Sequence, residues 1–144
     1  MKKLLFLLAV VLCCASAAVA ADKPIGVLID GAALETDVPP VIQNDRVLVP
    51  LRAISEALFA RVEWNDDAQM VTVFNGASVC LMTIGSPHVV VIGADDTNIV
   101  TLDVPPMIQN DRTLLPIRFF AEFFGCNVDW QPQDDLDLVV ITRE

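Results

Sequence analysis

The sequence contains no tyrosine and a single histidine, His88, in 144 residues. A metal centre built from imidazoles, or a serine or cysteine activated by a histidine base, therefore has almost nothing to be made from. Gly-x-Ser-x-Gly turns, short paired cysteine and histidine spacings, and Asp-x-Asp-x-Asp-Gly loops are also absent. What remains for chemistry is carboxylate, gathered at Asp66-Asp67, Asp95-Asp96 and Asp134-Asp135-Asp137. Paired carboxylates can serve a glycosidase, and clustered ones can hold calcium. Each of these clusters lies in a turn pattern, however, where a solvated surface is the default. No acid, base, nucleophile and metal set converges, so the expectation is a protein with no catalytic residues, metal or cofactor.

Basic residues are scarce too, nine against nineteen acidic ones, for a net charge of −10. Two of the nine, Lys2 and Lys3, precede an unbroken apolar run from Leu4 to Ala15, and small residues follow at Ala18-Val19-Ala20. That order is a secretory signal over residues 1–20, with cleavage expected between Ala20 and Ala21. The run is too short for a membrane span, which needs about 20 apolar residues. A lipoprotein signal at Cys13 or Cys14 would need a small residue just before the cysteine, where Leu12 and Cys13 stand. The exported part, residues 21–144, keeps seven basic groups against nineteen acidic ones, a charge of −12. Such a surface repels nucleic acid and anionic lipid. No second apolar segment is long enough to span a bilayer, and the location expected is secreted or cell-envelope. Of the four cysteines only Cys80 and Cys126 survive cleavage. An oxidising compartment would let them pair; two buried free thiols are the other reading.

What the sequence does have is an internal repeat. Residues 37–64, DVPPVIQNDRVLVPLRAISEALFARVEW, recur as residues 103–130, DVPPMIQNDRTLLPIRFFAEFFGCNVDW, with 15 of 28 positions identical. The shared signature includes Pro40/Pro106, Arg46/Arg112, Pro50/Pro116, Arg52/Arg118, Glu56/Glu122 and Trp64/Trp130. The two copies occupy about residues 25–84 and 88–143.

Each copy predicts a hairpin, a helix and a second hairpin. Asn44-Asp45 and Asn110-Asp111 tolerate left-handed backbone and mark tight turns. A helix is expected to begin at Pro50 and Pro116, where a missing N–H costs nothing. Leu51, Ile54 and Leu58, and then Ile117, Phe120 and Phe124, recur at the spacing of one buried helical face. Val62 and Trp64, then Val71 and Val73, alternate as in a half-buried hairpin. Between the copies, Asn75-Gly76 is a turn signal, and the runs 79–84 and 88–92 read as strands; Asp30-Gly31 marks another hairpin. The fold class is α+β, an internal duplication of a β-hairpin/helix/β-hairpin unit with two short helices packed on a mostly antiparallel sheet. Its short loops leave no room for parallel crossovers.

The pattern D-V-P-P-x-I-x-N-x-R-x-L-x-P-x-R-x-x-x-E followed by V-x-W resembles the copper amine oxidase N-terminal domain, also called the stalk domain. Thr83-Ile84-Gly85-Ser86 and Leu102-Asp103-Val104-Pro105-Pro106 are similar to the segment joining the two halves of that domain. The resemblance covers nearly the whole exported part and implies an accessory module of exported bacterial proteins, separate from amine oxidation. That chemistry needs a tyrosine for its quinone and several imidazoles for copper, which this chain lacks.

Two departures from the family pattern stand out. Phe59 occupies a position where the family has glycine, kept here as Gly125. A side chain in a left-handed helix end costs on the order of 1 kcal/mol, and the expectation is that Phe59 offsets this by burying its ring. Ala53 and Ala57 of the first copy are matched by Phe119 and Phe123, a stripe that either closes the shared core or forms a partner surface. Arg52–Glu56 and Arg118–Glu122, four apart, are expected to pair on each helix. Arg46 and Arg112 are expected to reach inward to Asp37, Asp103 or free carbonyls. The functional expectation is a non-catalytic binding or structural module of the cell envelope, in contact with a protein, a glycan or a second copy of itself. A secreted inhibitor or regulator of a separately encoded envelope enzyme is the alternative.

Overall fold

A computed structural model describes residues 23–144, so the signal at 1–20 and the cut at Ala20/Ala21 lie outside the described residues. The chain opens with a small hairpin, β1 (Ile25–Ile29) and β2 (Ala32–Ala33), turning on Asp30 and Gly31, both with positive φ. A second hairpin, β3 (Val41–Gln43) and β4 (Arg46–Pro50), runs into helix α1 (Leu51–Ala57). Five strands follow in sequence: β5 (Arg61–Asn65), β6 (Met70–Asn75), β7 (Ser78–Thr83), β8 (His88–Ile92) and β9 (Thr97–Thr101). A third short hairpin, β10 (Met107–Gln109) and β11 (Arg112–Pro116), leads into helix α2 (Ile117–Phe123). The long strands β12 (Cys126–Pro132) and β13 (Asp137–Arg143) complete the described chain.

The turns of the second and third hairpins form as their sequence demands. Asn44, Asp45, Asn110 and Asp111 all hold φ between 48° and 60°, two consecutive left-handed residues per turn, which matches the twist of the flanking strands. At Asn75-Gly76 the loop sits one residue later than the sequence suggests. Asn75 pairs with Ser78, so Gly76 and Ala77 form the turn, and Gly76 alone carries positive φ. Pro50 and Pro116 likewise precede their helices instead of starting them. Both have extended ψ, 125° and 118°, and remain in the sheet, so helical geometry begins at Leu51 and Ile117.

Among the described residues three sheets result. The central one has the order β10-β11-β4-β3, and its two hairpins join through an antiparallel β4–β11 pair in which Leu115 faces Val49. Strands β5 to β9 form an antiparallel meander. The third sheet has the order β12-β13-β1-β2, and its β1–β13 pair is parallel, with Ile25 opposite Asp137 and Ile29 opposite Ile141. That pair corrects the expectation that short loops exclude parallel strands. No short crossover is needed, because almost the entire described chain separates the two. Strand β9, the outer edge of the meander, had no clear sequence signal; three of its five residues are polar.

The predicted helical faces are the ones that pack. Leu51, Ile54 and Leu58 are buried, as are Ile117 and Phe120, while Phe124 is half-buried at the end of its stripe. Val49, Leu115, Val71, Val73 and Ile141 join them in one apolar cluster that spans all three sheets. Architecture and class agree with α+β, weighted strongly to strand.

Both helices end in the same hydrogen-bonded reversal. The Phe59 N–H donates to the Glu56 carbonyl and the Ala60 N–H to the Ser55 carbonyl, at 3.2 and 2.8 Å; in the second helix the Gly125 N–H donates to the Glu122 carbonyl at 2.9 Å. Phe59 holds φ +54°, where Gly125 holds +72°. Its ring is 86% exposed, which overturns the expectation that it is buried. The left-handed backbone points the side chain away from the core, and its neighbour there is the Arg143 guanidinium, 5.4 Å from the ring centre.

Candidate functional site

The pairing of β4 with β11 lays the two Asn-Asp hairpins side by side, each reaching into the other half of the molecule. Arg46 Nε donates to Asp103 Oδ2 at 2.9 Å, and Arg112 Nε donates to Asp37 Oδ2 at 2.8 Å. The arginines thus find the carboxylates expected from sequence, with partners exchanged between the copies. Both pairs lie in solvent, so the expected inward reach to a buried partner does not occur. The hydrogen bond from Arg112 holds the Asp37 carboxyl below its ordinary range, and the same bond raises Arg112.

Where each hairpin meets the opposite half, a groove opens. The first, about 390 Å³, takes Ile42, Asp45 and Arg46 from the first hairpin, Arg118 from α2, and Asp129 and Trp130 from β12. The second, about 650 Å³, takes Ile108, Asp111 and Arg112 from the second hairpin, Arg52 and Glu56 from α1, and Trp64 from β5. Isoleucine, aspartate and arginine of the hairpin, and the helix arginine and tryptophan of the opposite half, recur at repeat-equivalent positions in both grooves, and Pro50 and Pro116 line the matching floors beside Leu51 and Ile117. The signature residues scattered over each copy are therefore brought together, but by the neighbouring copy. Pro40 and Pro106 lie before the hairpins, outside the grooves.

The grooves are unusual surface. Trp64 and Trp130 are 43% and 39% exposed, and Ile42 and Ile108 are 50% and 48% exposed. Each of these side chains is about half buried, and the part left in water recurs at equivalent places in both halves, giving each groove an apolar surface. Four of the chain's nine basic residues rim the grooves, against four of nineteen acidic ones. The isoleucines escaped notice in the sequence because nothing marks an apolar residue on a three-residue strand as exposed. Their identity in both copies was the available signal.

The two grooves also differ in how the helix arginine is held. Arg118 lies 3.8 Å from Glu122 and donates to the Val128 carbonyl at 3.4 Å. Arg52 forms no ion pair or side-chain hydrogen bond among the described residues, so the expected Arg52–Glu56 pair is not made and its guanidinium is uncommitted.

Other sequence candidates lie apart from the grooves. Phe119 and Phe123 are half-buried against the main core, with the Phe123 ring edge-on to Phe124 at 5.3 Å. His88 Nδ1 lies 3.3 Å from Thr101 Oγ1, a cross-strand contact on the meander. Cys80 and Cys126 are unpaired and buried; burial pushes the Cys80 thiol up to about 12 and also raises Cys126. Of the acidic clusters, Asp66 accepts from Gln69, Asp96 from Asn98, and Asp137 faces Lys23 at 3.5 Å. Among the described residues no three histidine, cysteine or acidic side chains gather in a metal-holding arrangement, and no helix is long and apolar enough to cross a membrane.

Comparison with known proteins adds one finding. Residues 28–136, which include both Asn-Asp hairpins, both helices and both tryptophans, match the model of the copper amine oxidase N-terminal domain. A search of curated proteins found no match.

Proposed function

The chain belongs to the copper amine oxidase N-terminal domain family, and on that premise we propose that it is an exported, non-catalytic binding module of the cell envelope. It is built as two copies of one hairpin, helix and hairpin unit, and it binds through the paired grooves. The observation that carries this reading is the repetition of the same exposed tryptophan, isoleucine and arginine set in both grooves. Core packing accounts for the buried repeat positions, but it does not account for apolar surface left partly in solvent at the same places twice.

The rest of the sequence is consistent with that role. The amino-terminal order of charge, apolar run and small residues favours export, and the acidic surface disfavours nucleic acid and anionic lipid as partners. Ser55, at the edge of the wider groove, has its hydroxyl engaged, donating to the Leu51 carbonyl.

Retention of the purified chain on a washed envelope fraction from its source cell tests the proposal. Retention is expected, with loss on joint substitution of Trp64 and Trp130 by alanine. A chain that passes through unretained, or a double variant retained as well as the original, would refute it.

A further inference from the structure

Resting on the reading that the grooves are the contact surface, we propose that they take an uncharged pyranose polymer, one sugar ring seated on Trp64 and another on Trp130. A pyranose presents a face of C–H groups ringed by hydroxyls. Indole is complementary to it, a flat apolar body with one polar edge. The two indoles stand open to solvent beside exposed isoleucines, in grooves of about 390 and 650 Å³, within the general range of roughly 300–1,000 Å³ for small-ligand sites.

The rims select the charge of the ligand. Around Trp130 lie Arg46 and Arg118 with Asp45 and Asp129; around Trp64 lie Arg52 and Arg112 with Glu56 and Asp111. Each groove therefore carries two cations and two anions. A hydroxyl both donates and accepts, so a ring of hydroxyls can satisfy such a mixed rim at every point. A carboxylated polymer would meet two carboxylates in each groove and guanidiniums already engaged by Asp103, Asp37 and Glu122, all but that of Arg52, in the field of a chain carrying −10 overall. An apolar peptide would cover those charges without pairing them, at a desolvation cost.

The duplication itself points to a polymer. Two equivalent sites on one chain suit a ligand that repeats its own unit, because occupying both can raise affinity by about 10²–10⁴ over one site when geometry allows. A ligand met singly gains nothing from the second groove.

Native gels cast with hydroxyethylcellulose, xylan, dextran or polygalacturonate test the inference with the purified chain. Retardation is expected with at least one of the three neutral polymers and none with polygalacturonate. Calorimetric titration with an oligosaccharide of the retarding polymer too short to span both grooves should give two sites per chain, one in each of Trp64→Ala and Trp130→Ala, and none in the double variant. Because both indoles are exposed, thermal unfolding should show all three variants folded. Failure of every neutral polymer, preference for polygalacturonate, or binding unchanged in the double variant would overturn the proposal. If the gels fail but an envelope fraction retains the chain, releases the double variant, and loses its capacity on protease treatment, the occupant is a protein: the glycan is then refuted and the grooves stand. No retention on either material refutes both.

Discussion

Phe59 offers the most direct test of how the first helix ends. Its φ of +54° places an L side chain in left-handed backbone, which costs roughly 1–2 kcal/mol relative to glycine. Glycine at the same place returns about 0.5–1 kcal/mol of that through the greater freedom of its unfolded chain. Glycine should therefore exceed alanine at residue 59 by about 1 kcal/mol. The Phe59 ring, 86% exposed, has little burial to lose, but its contact with Arg143 at 5.4 Å is of a kind worth about 0.5–1 kcal/mol at an exposed site. The expected order is Phe59→Gly at or slightly above the original chain, and Phe59→Ala below both. For a domain of this size, 1 kcal/mol corresponds to about 3–6 °C in Tm. Urea and thermal unfolding of the three proteins measure it. If Phe59→Gly proves no more stable than Phe59→Ala, backbone strain at the helix end is not what distinguishes this position, and the reasoning fails.

Phe120→Ala should cost about 3–5 kcal/mol, because the ring is 1% exposed at the centre of the shared core, whereas Phe119→Ala on the half-buried stripe should cost clearly less; urea midpoints separate them. Cys80, with its thiol pushed up to about 12, should resist iodoacetamide at pH 8 in the folded protein and react once urea unfolds it, read by mass spectrometry. Asp37 is lowered in the folded state, so its stabilising contribution is present above the ordinary carboxylate value near 3.8 and is lost as pH falls through the lower folded value. The stability difference between the original chain and Asp37→Asn should accordingly be small and salt-sensitive at pH 6, since the pair is exposed, and should shrink further in acid; a difference that grows below pH 3.8 would contradict the assignment.

Much of the local structure was legible before any coordinates. Asn44-Asp45 and Asn110-Asp111 dictate their turns because few other pairs accept consecutive left-handed residues, and the spacing of Leu51, Ile54 and Leu58 identifies a buried helical face by geometry alone. Long-range relations were not legible. Nothing in the sequence of β1 specifies β13 as its neighbour, and a mostly polar edge strand such as β9 has no periodicity to reveal it. The arginines illustrate the same limit at the candidate site. Arg46 and Arg112 were matched to the right kind of partner, but the exchange between copies, and hence the grooves, depends on how β4 and β11 meet.

The parallel alignment of β1 with β13 also determines how the molecule resists being pulled. Tension entering through the chain before Ile25 and leaving through the chain after Arg143 draws the two strands past each other along their length. The paired positions from Ile25–Asp137 to Ile29–Ile141 then share the load in shear, and must yield together instead of peeling one at a time. An antiparallel hairpin pulled from its open end would unzip bond by bond. The fold therefore loads the β1–β13 pair in shear whenever force is applied at the two ends of the described chain.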